Sequence, residues 1–353
     1  MWFKKVVIVS FFILSLTVIG YVLIYYLLIR NKYIYNSSIT NGLEKLIIDT
    51  DAGIDDAVAI FLLLSALAKN NSNSEIVAIT CVYGNTEEQN VEKNVLRILS
   101  TVNASHIPVY GGARKPIIEH YSNDNYFGQD GLGDVFYEDI IPNKINSSVH
   151  AALALVNLAK QYNGSLSILV LGPLTNIAIA TMLDPHFANN VKKFYIMGGS
   201  VSGVGNKAPG VEFNFGCDPD SVWIALNAIK DKPSILFPWE TTINSVILMD
   251  WRMNVLGSKN NSKIINFLNK AEQNLNRTQN VWQPADAMIA AVVLWPDLID
   301  KILLTNVNPI IDGKARGSLL VDYSNLTSTT PNIEIIQEFN VEKFKNILIT
   351  YFS

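Results

Sequence analysis

Short unbroken apolar runs alternate along the chain with stretches of helical spacing. Leu46–Asp49, the run EIVAITCVYGN from Glu75, Ile107–Gly111, Leu166–Leu171 and KKFYIMGGS from Lys192 read as strands. A strand covered on both faces loses the polar alternation of a half-exposed one. Between them, DDAVAIFLLLSALAK from Asp55, Glu87–Thr101 and Val149–Tyr162 have the length and spacing of helices. This alternation predicts an α/β fold, an open and mostly parallel (mixed) sheet with helices on both faces. Later in the chain, SILFPWETT reads as a strand that sets Trp239 and Glu240 facing the mouth of the sheet, and residues 242–280 as a polar, mostly helical cap. Strands are expected at Pro309–Asp312, Ser318–Val321 and Asn332–Ile336, and a final helix from Val341.

The N-terminus breaks this pattern. Val6–Ile29 carries no charge, with Lys4 and Lys5 before it and Arg30 and Lys32 after it. Its length suffices to cross a bilayer, which takes about 20 residues. A cleaved signal peptide is the rival, but its apolar core is shorter, about 7–15 residues, and LLIR is a poor cleavage site. An uncleaved signal anchor is the expectation, with residues 1–32 as cytoplasmic stub and transmembrane segment and 33–44 as a polar linker. The sequons at Asn36, Asn70, Asn103, Asn146, Asn163, Asn260, Asn276 and Asn325 suit a lumenal or extracellular domain that carries glycans.

Composition narrows the classes further. The 353 residues are 49% hydrophobic with a net charge of −4, which argues against a nucleic-acid partner bound by charge. Cys81 and Cys217 form no disulfide framework. His106, His120, His150 and His186 lie outside any motif, no Ser/His/Asp or Cys/His arrangement is legible, and no glycine-rich dinucleotide motif follows the first strand.

Chemistry concentrates in KLIIDTDAGIDDAVAI, where Asp49, Asp51, Asp55 and Asp56 crowd the end of a strand and the first turn of a helix. Ligands in parallel α/β sheets sit at this end of the strands. Packed carboxylates repel unless a cation or hydrogen-bond donors offset them. Oxygen-only ligands favour calcium or magnesium over zinc. Helix capping needs fewer acids; an EF-hand loop needs a later glycine and a closing glutamate. A phosphatase DxD loop is the more serious rival, yet it leaves the second acid pair unexplained. Further on, Asn206, Glu212 and Asn214 stand among the glycines of VSGVGNKAPGVEFNFGCDPDSV, as suits binding of adjacent sugar hydroxyls.

The stretch DTDAGIDD resembles the DTDPGIDD signature of the calcium-dependent nucleoside hydrolases, with Ala52 in place of the proline, a mild change. The resemblance continues through LGPLTN at Leu171, the ordered MGG…GN…EFN…DP run from Met197, and PADAM at Pro284. It covers roughly residues 44–345 and makes 45–353 one catalytic domain. It implies hydrolysis of the N-glycosidic bond of ribonucleosides. Calcium would be held by Asp51, Asp56, Asp286 and the Leu171 carbonyl, with Asp51 also the base that deprotonates water and Asp49 orienting the loop from behind. Ribose would be held by Asp55, Asn85, Asn206, Glu212 and Asn214, with Met197 lining the pocket. Phe127, Trp239 and Trp282 are candidate base contacts, and dimers or tetramers are usual in the family. Asp218-Pro219 would open the next helix.

Two departures matter. The family carries a histidine, or in some members a tryptophan, where this chain has Ala285, and often a histidine where it has Phe127. Neither residue can protonate a leaving base; Tyr126, Asp130 and Glu240 are the nearby candidates for that role. A non-catalytic nucleoside- or metal-binding membrane protein therefore stands as an alternative, and a metal-dependent phosphohydrolase as a third.

Overall fold

The computed structural model describes residues 20, 45–69, 74–118, 125–135, 137, 145–230, 232, 234–275 and 280–353. The chain divides into two units, Met1–Gly42 and Leu43–Ser353; the fold below is that of the second. The expected membrane segment at residues 6–29 lies outside the described residues, apart from Gly20. Among the described residues no helix is long and apolar enough to cross a membrane.

The first half alternates as its hydrophobic pattern predicts. It runs β1 (Lys45–Thr50), α1 (Ile54–Lys69), β2 (Glu75–Cys81), α2 (Glu88–Thr101), β3 (Val109–Tyr110), α3 (Ala151–Gln161) and β4 (Leu166–Val170). Then come α4 (Thr175–Leu183), α5 (Phe187–Asn190), β5 (Val191–Met197), α6 (Phe213–Cys217) and α7 (Pro219–Ala228). The second half contains β6 (Ser234–Phe237), α8 (Trp239–Asn244), β7 (Ile247–Leu248), a π-helix at Trp251–Leu256, α9 (Lys263–Ala271) and β8 (Val281–Trp282). It closes with α10 (Ala285–Leu294), β9 (Ile299–Thr305), β10 (Val307–Pro309), β11 (Leu319–Val321), β12 (Ile333–Phe339) and α11 (Val341–Phe352).

Eight strands form one sheet in the order β3-β2-β1-β4-β5-β6-β12-β9. Every pair is parallel except β12–β9. The sheet is therefore mixed, with helices on both faces. On one face Ile47, Ile168, Ile196 and Leu236 pack with Leu155, Ile177 and Leu226 of α3, α4 and α7. Leu46 and Ile48 are equally buried and point to the opposite face by strand periodicity. Both faces of β1 are covered, which is why its sequence runs apolar without alternation.

Several elements differ from the sequence expectation. SILFPWETT is strand only to Phe237; Pro238 has no N–H for a ladder, and Trp239 opens α8. The third strand shrinks to two residues at the sheet edge. The cap is not uniformly polar: Ile264, Ile265, Phe267, Leu268 and Ala271 of α9 are buried. Strand β9 is hidden in the sequence pattern, because IDKILLT mixes charge into its apolar run. Such charges are usual on edge strands. Among the described residues, β10 and β11 pair only with each other.

Both cysteines are buried, and neither forms a disulfide among the described residues. The sequon residues Asn103, Asn146, Asn163, Asn260 and Asn325 are exposed; Asn36, Asn70 and Asn276 lie outside the described residues.

Candidate active site

The C-terminal ends of β1, β2, β4 and β5 converge on one cavity. β1 delivers Asp49 and the turn Asp51–Gly53; α1 follows at once, so Asp55 and Asp56 fall in its first turn, where the positive end of the helix dipole favours them. The turn is tied to Asp56, whose Oδ1 accepts from Thr50 Oγ1 at 2.5 Å and whose Oδ2 accepts from Gly53 N at 2.9 Å. Ala52 at its centre has φ 38°, and its N–H donates to Thr50 Oγ1 at 3.1 Å.

Below this turn, Asp49 is fully buried. Its Oδ1 accepts from Thr80 Oγ1 at 2.5 Å and Asn176 Nδ2 at 2.8 Å. Its Oδ2 is buried without a hydrogen-bond partner among the described residues. Burial pushes its carboxyl up to about 7, against the pull of the Thr80 and Asn176 hydrogen bonds.

The turn after β2 wraps the Asp51 carboxylate. Asn85 N donates to Asp51 Oδ2 at 2.8 Å, and Asn85 Nδ2 reaches Asp51 Oδ1 at 3.0 Å and Asp56 Oδ2 at 3.2 Å. Gly84 makes this approach possible, since a Cβ there would collide with Asp51.

From the other side, Leu171 directly follows β4, and its carbonyl accepts from Asn214 Nδ2 at 2.7 Å. The same amide reaches the Met197 carbonyl at 3.2 Å. Glu212 caps α6, accepting from Asn214 N at 2.9 Å, Phe215 N at 3.1 Å and Gly199 N at 2.8 Å. Asn206 Oδ1 accepts from Phe213 N at 2.8 Å. Glu212 and Asn206 thus line the cavity while also shaping the loop that presents Asn214. Asp218 caps α7 through Ser221 N, with Pro219 at its first turn.

Asp286, in the first turn of α10, brings the last acid. Carboxylate oxygens of Asp55, Asp56 and Asp286 lie within 4.8 Å of one another. Asp51 is not in this threesome; Asn85 engages it. Burial, then the Asp56 charge, pushes Asp55 up to about 8. Burial raises Asp286 well above the carboxylate range, with Asp55, Asp56 and Asp51 adding to it. Asp51 is raised by burial and then by Asp56, and Asp56 by burial, against its hydrogen bonds. An all-oxygen, mutually repelling set of this kind, with Asp56 and Asp286 buried and Asp55 half-buried, fits a hard divalent cation, which relieves the repulsion.

The cavity measures about 520 Å³, within the range of small-ligand sites. Asp55, Asn85, Leu171, Met197, Asn206, Glu212, Asn214 and Asp286 all line it, as do Phe127, Trp239 and Trp282. Phe127 lies beside Asn85: a Cβ on Gly53 would be 2.5 Å from Asn85 Nδ2 and 2.7 Å from Phe127 Cδ2.

Of the candidate proton donors, only Tyr126 lines the cavity. Asp130 folds its own loop, Oδ1 accepting from Leu132 N and Asp134 N at 2.7 and 3.0 Å. Glu240 holds the 200–204 loop through Ser200 Oγ, Val201 N and Ser202 N at 2.7–2.9 Å. Burial opposes its ionisation, but these bonds win and hold it below the usual carboxylate range. His106, His150 and His186 are absent from the lining; His150 caps α3. Sequence reasoning missed Met249, Glu272, Leu275 and Gln283 in the cavity wall. No motif marks them, because distant cap segments bring them there.

The chain resembles known proteins in sequence and in fold. The family described as inosine-uridine preferring nucleoside hydrolase matches residues 46–346. A probable uridine nucleosidase of Oryza sativa subsp. japonica is 37% identical over 190 residues, 53% of this chain and 56% of that protein. A uridine nucleosidase of Arabidopsis thaliana is 36% identical over 203 residues, 57% of this chain and 58% of that protein. The chain thus spans little more than half the length of these relatives. Among solved structures, an inosine-guanosine nucleoside hydrolase superposes with a TM-score of 0.78 at 29% identity, covering 87% of this chain and 98% of that one.

Proposed function

The chain belongs to the nucleoside hydrolase family, and from that premise we propose that it hydrolyses the N-glycosidic bond of ribonucleosides, releasing ribose and a free base. The observation that carries the proposal is the meeting, at one cavity, of the Asp55–Asp56–Asp286 group with Asn85, Asn214 and Leu171, which line that cavity together with Asp55 and Asp286.

In this reading Asp51, Asp56, Asp286 and the Leu171 carbonyl hold calcium. When bound, calcium supplies the positive charge that lowers the pKa of water toward neutrality. Asp51 accepts the proton of the attacking water; Asn85, hydrogen-bonded to its carboxylate, fixes the direction of that acceptor. Asp49 holds the β1 turn from behind. Asp55, Asn85 and Asn214 grip the ribose hydroxyls, with Asn206 and Glu212 shaping the loop around them and Met197 against the ring. Holding the sugar in this way orients it for attack and favours the oxocarbenium-like transition state of glycoside cleavage. Phe127, Trp239 and Trp282 enclose the base.

Binding without turnover is the second reading, and Ala285 favours it by leaving no acid for the departing base. One assay separates them: reducing sugar released from uridine and inosine by the full chain, with calcium and after chelation. Calcium-dependent sugar release supports hydrolysis; nucleoside binding without release supports the second reading. We further propose that residues 6–29 anchor the chain with its hydrolase domain on the lumenal or extracellular side, and that the domain forms a homo-oligomer. Carbonate extraction of membranes and light scattering test these two points.

A further inference from the structure

Against the cavity wall lies a buried ion pair that the chemistry above does not use. The side chains of Arg252 and Glu272 are 0% and 2% exposed, with Arg252 Nη2 3.1 Å from Glu272 Oε2. Glu272 Oε1 accepts a hydrogen bond from Trp282 Nε1 at 2.9 Å, and the Arg252 guanidinium lies over the Trp282 ring, 5.6 Å from its centroid. Arg252 Nη1 also donates to Asn269 Oδ1 at 2.9 Å. Asn269 Nδ2 donates in turn to the Gly257 carbonyl at 2.9 Å, tying the π-helix to α9. Trp251 completes the cluster, its ring 6.4 Å from that of Trp282. Glu272 and Trp282 line the cavity.

Stability does not explain this arrangement. Apolar residues of similar volume are often as stabilising as a buried ion pair, or more so. π-helical turns also tend to occur at functional sites. Among the described residues, β8 is two residues long and pairs with the two residues of β7, extended by Met249 N donating to the Asn280 carbonyl at 3.1 Å, so few ladder bonds hold the backbone at Trp282. An indole on so short a ribbon needs outside restraint to keep one orientation. The hydrogen bond that the indole N–H donates to Glu272 fixes its edge, and the guanidinium and Trp251 hold it in place.

We propose that Glu272, held by Arg252, is a positioning residue for nucleobase binding: it fixes the Trp282 indole as the flat wall against which the base of a bound nucleoside rests. This rests on reading the cavity as a nucleoside site. The wall meets the face of the base and not its edge, so the network governs how tightly bases are held more than which base is chosen.

Three variants test it. R252M/E272L replaces the pair with apolar side chains, E272Q keeps an acceptor for the indole N–H, and W282F keeps a ring without that N–H. Binding of uridine and of inosine is measured by calorimetry, with KM and kcat for the same nucleosides. For R252M/E272L, Kd and KM should rise about tenfold, the size of one lost aromatic alignment, while kcat falls less than about threefold. W282F should show the same split, and E272Q should keep most of the wild-type affinity. Wild-type Kd in R252M/E272L overturns the proposal; if that variant does not fold, wild-type Kd in W282F does so. Wild-type protein that binds both nucleosides without releasing sugar defeats the hydrolase reading alone, and the variants' Kd values still decide this one. Wild-type protein that binds neither nucleoside overturns this proposal.

Discussion

A side chain at Gly84 would stand inside Asp51: an added Cβ lies 2.0 Å from Asp51 Oδ2. The turn after β2 has to pass this close so that Asn85 can bind the carboxylate with both its backbone N–H and its side-chain amide. Gly84→Ala should therefore push Asp51 out of line without unfolding the sheet. Misplacing a reacting group by about 1 Å costs about 10²-fold. Sugar release should fall by about that factor or more while the melting temperature drops only modestly. Wild-type turnover in this variant would place Asp51 outside the chemistry.

Ala52 is the next test. The family signature has proline here, yet Ala52 sits at φ 38° and donates its N–H to Thr50 Oγ1. Proline holds φ near −65° and has no N–H. The substitution that looked mild in the sequence is thus not reversible in this loop. Ala52→Pro should destabilise the domain by at least about 2 kcal/mol in urea denaturation. Ala52→Gly should be neutral or slightly stabilising, since glycine enters this region freely. An unchanged denaturation midpoint in Ala52→Pro would contradict the loop geometry.

The acid group predicts how calcium and pH act together. Without metal, Asp55 titrates in the folded chain at about 8 against an ordinary 3.8. Between those values the folded state keeps a proton that the unfolded state has lost, so the stability of metal-free protein falls as pH rises through that window. Bound calcium removes the reason to hold the proton. The rise in melting temperature on adding calcium should therefore be larger at pH 8 than at pH 5. Asp286→Asn should stabilise the metal-free protein at pH 8 and abolish the calcium effect. A calcium effect that shrinks from pH 5 to pH 8 would refute this account.

Ala285 sets the fourth expectation. It lines the cavity beside Asp286 and can neither donate a proton nor stack. A positioned general acid contributes about 10²–10⁴-fold. Uridine and inosine should therefore turn over more slowly than p-nitrophenyl riboside by a factor in that range, with a steep dependence of rate on leaving-group pKa. Equal rates would assign the acid to another group, and Tyr126 is the residue to replace first, because Asp130 is committed to its own loop and Glu240 to the 200–204 loop.

Much of this arrangement is legible in the sequence because it is local. DTDAGIDD carries its strand, turn and helix start within eight residues, so the carboxylates and the element that presents them are read together. The Asn206–Asn214 loop is legible for the same reason. What could not be read is contact at a distance. Asn85 bridging Asp51 and Asp56 depends on β2 lying beside β1. Glu240 reads as a site acid until its partners, about 40 residues earlier in the chain, come into view. The apolar face of α9 is diluted by Asn and Lys in sequence but sorted in space, and the charges of β9 mask a strand because it is an edge. Glu272 and Gln283 give no local signal at all.

The position of β1 has a kinetic consequence. It lies between β2 and β4 in the interior of the sheet, so its amide protons can exchange only when the whole sheet opens. The ribbon that carries Trp282 has only two residues on each strand, and its amides should exchange through small local openings that leave the sheet intact. The two ends of the cavity thus belong to parts of the molecule that open at different rates. In the proposed reaction the released base would leave past Trp282 while the sugar stays among the carboxylates, so base-first departure is the expected order and the sugar the expected competitive inhibitor.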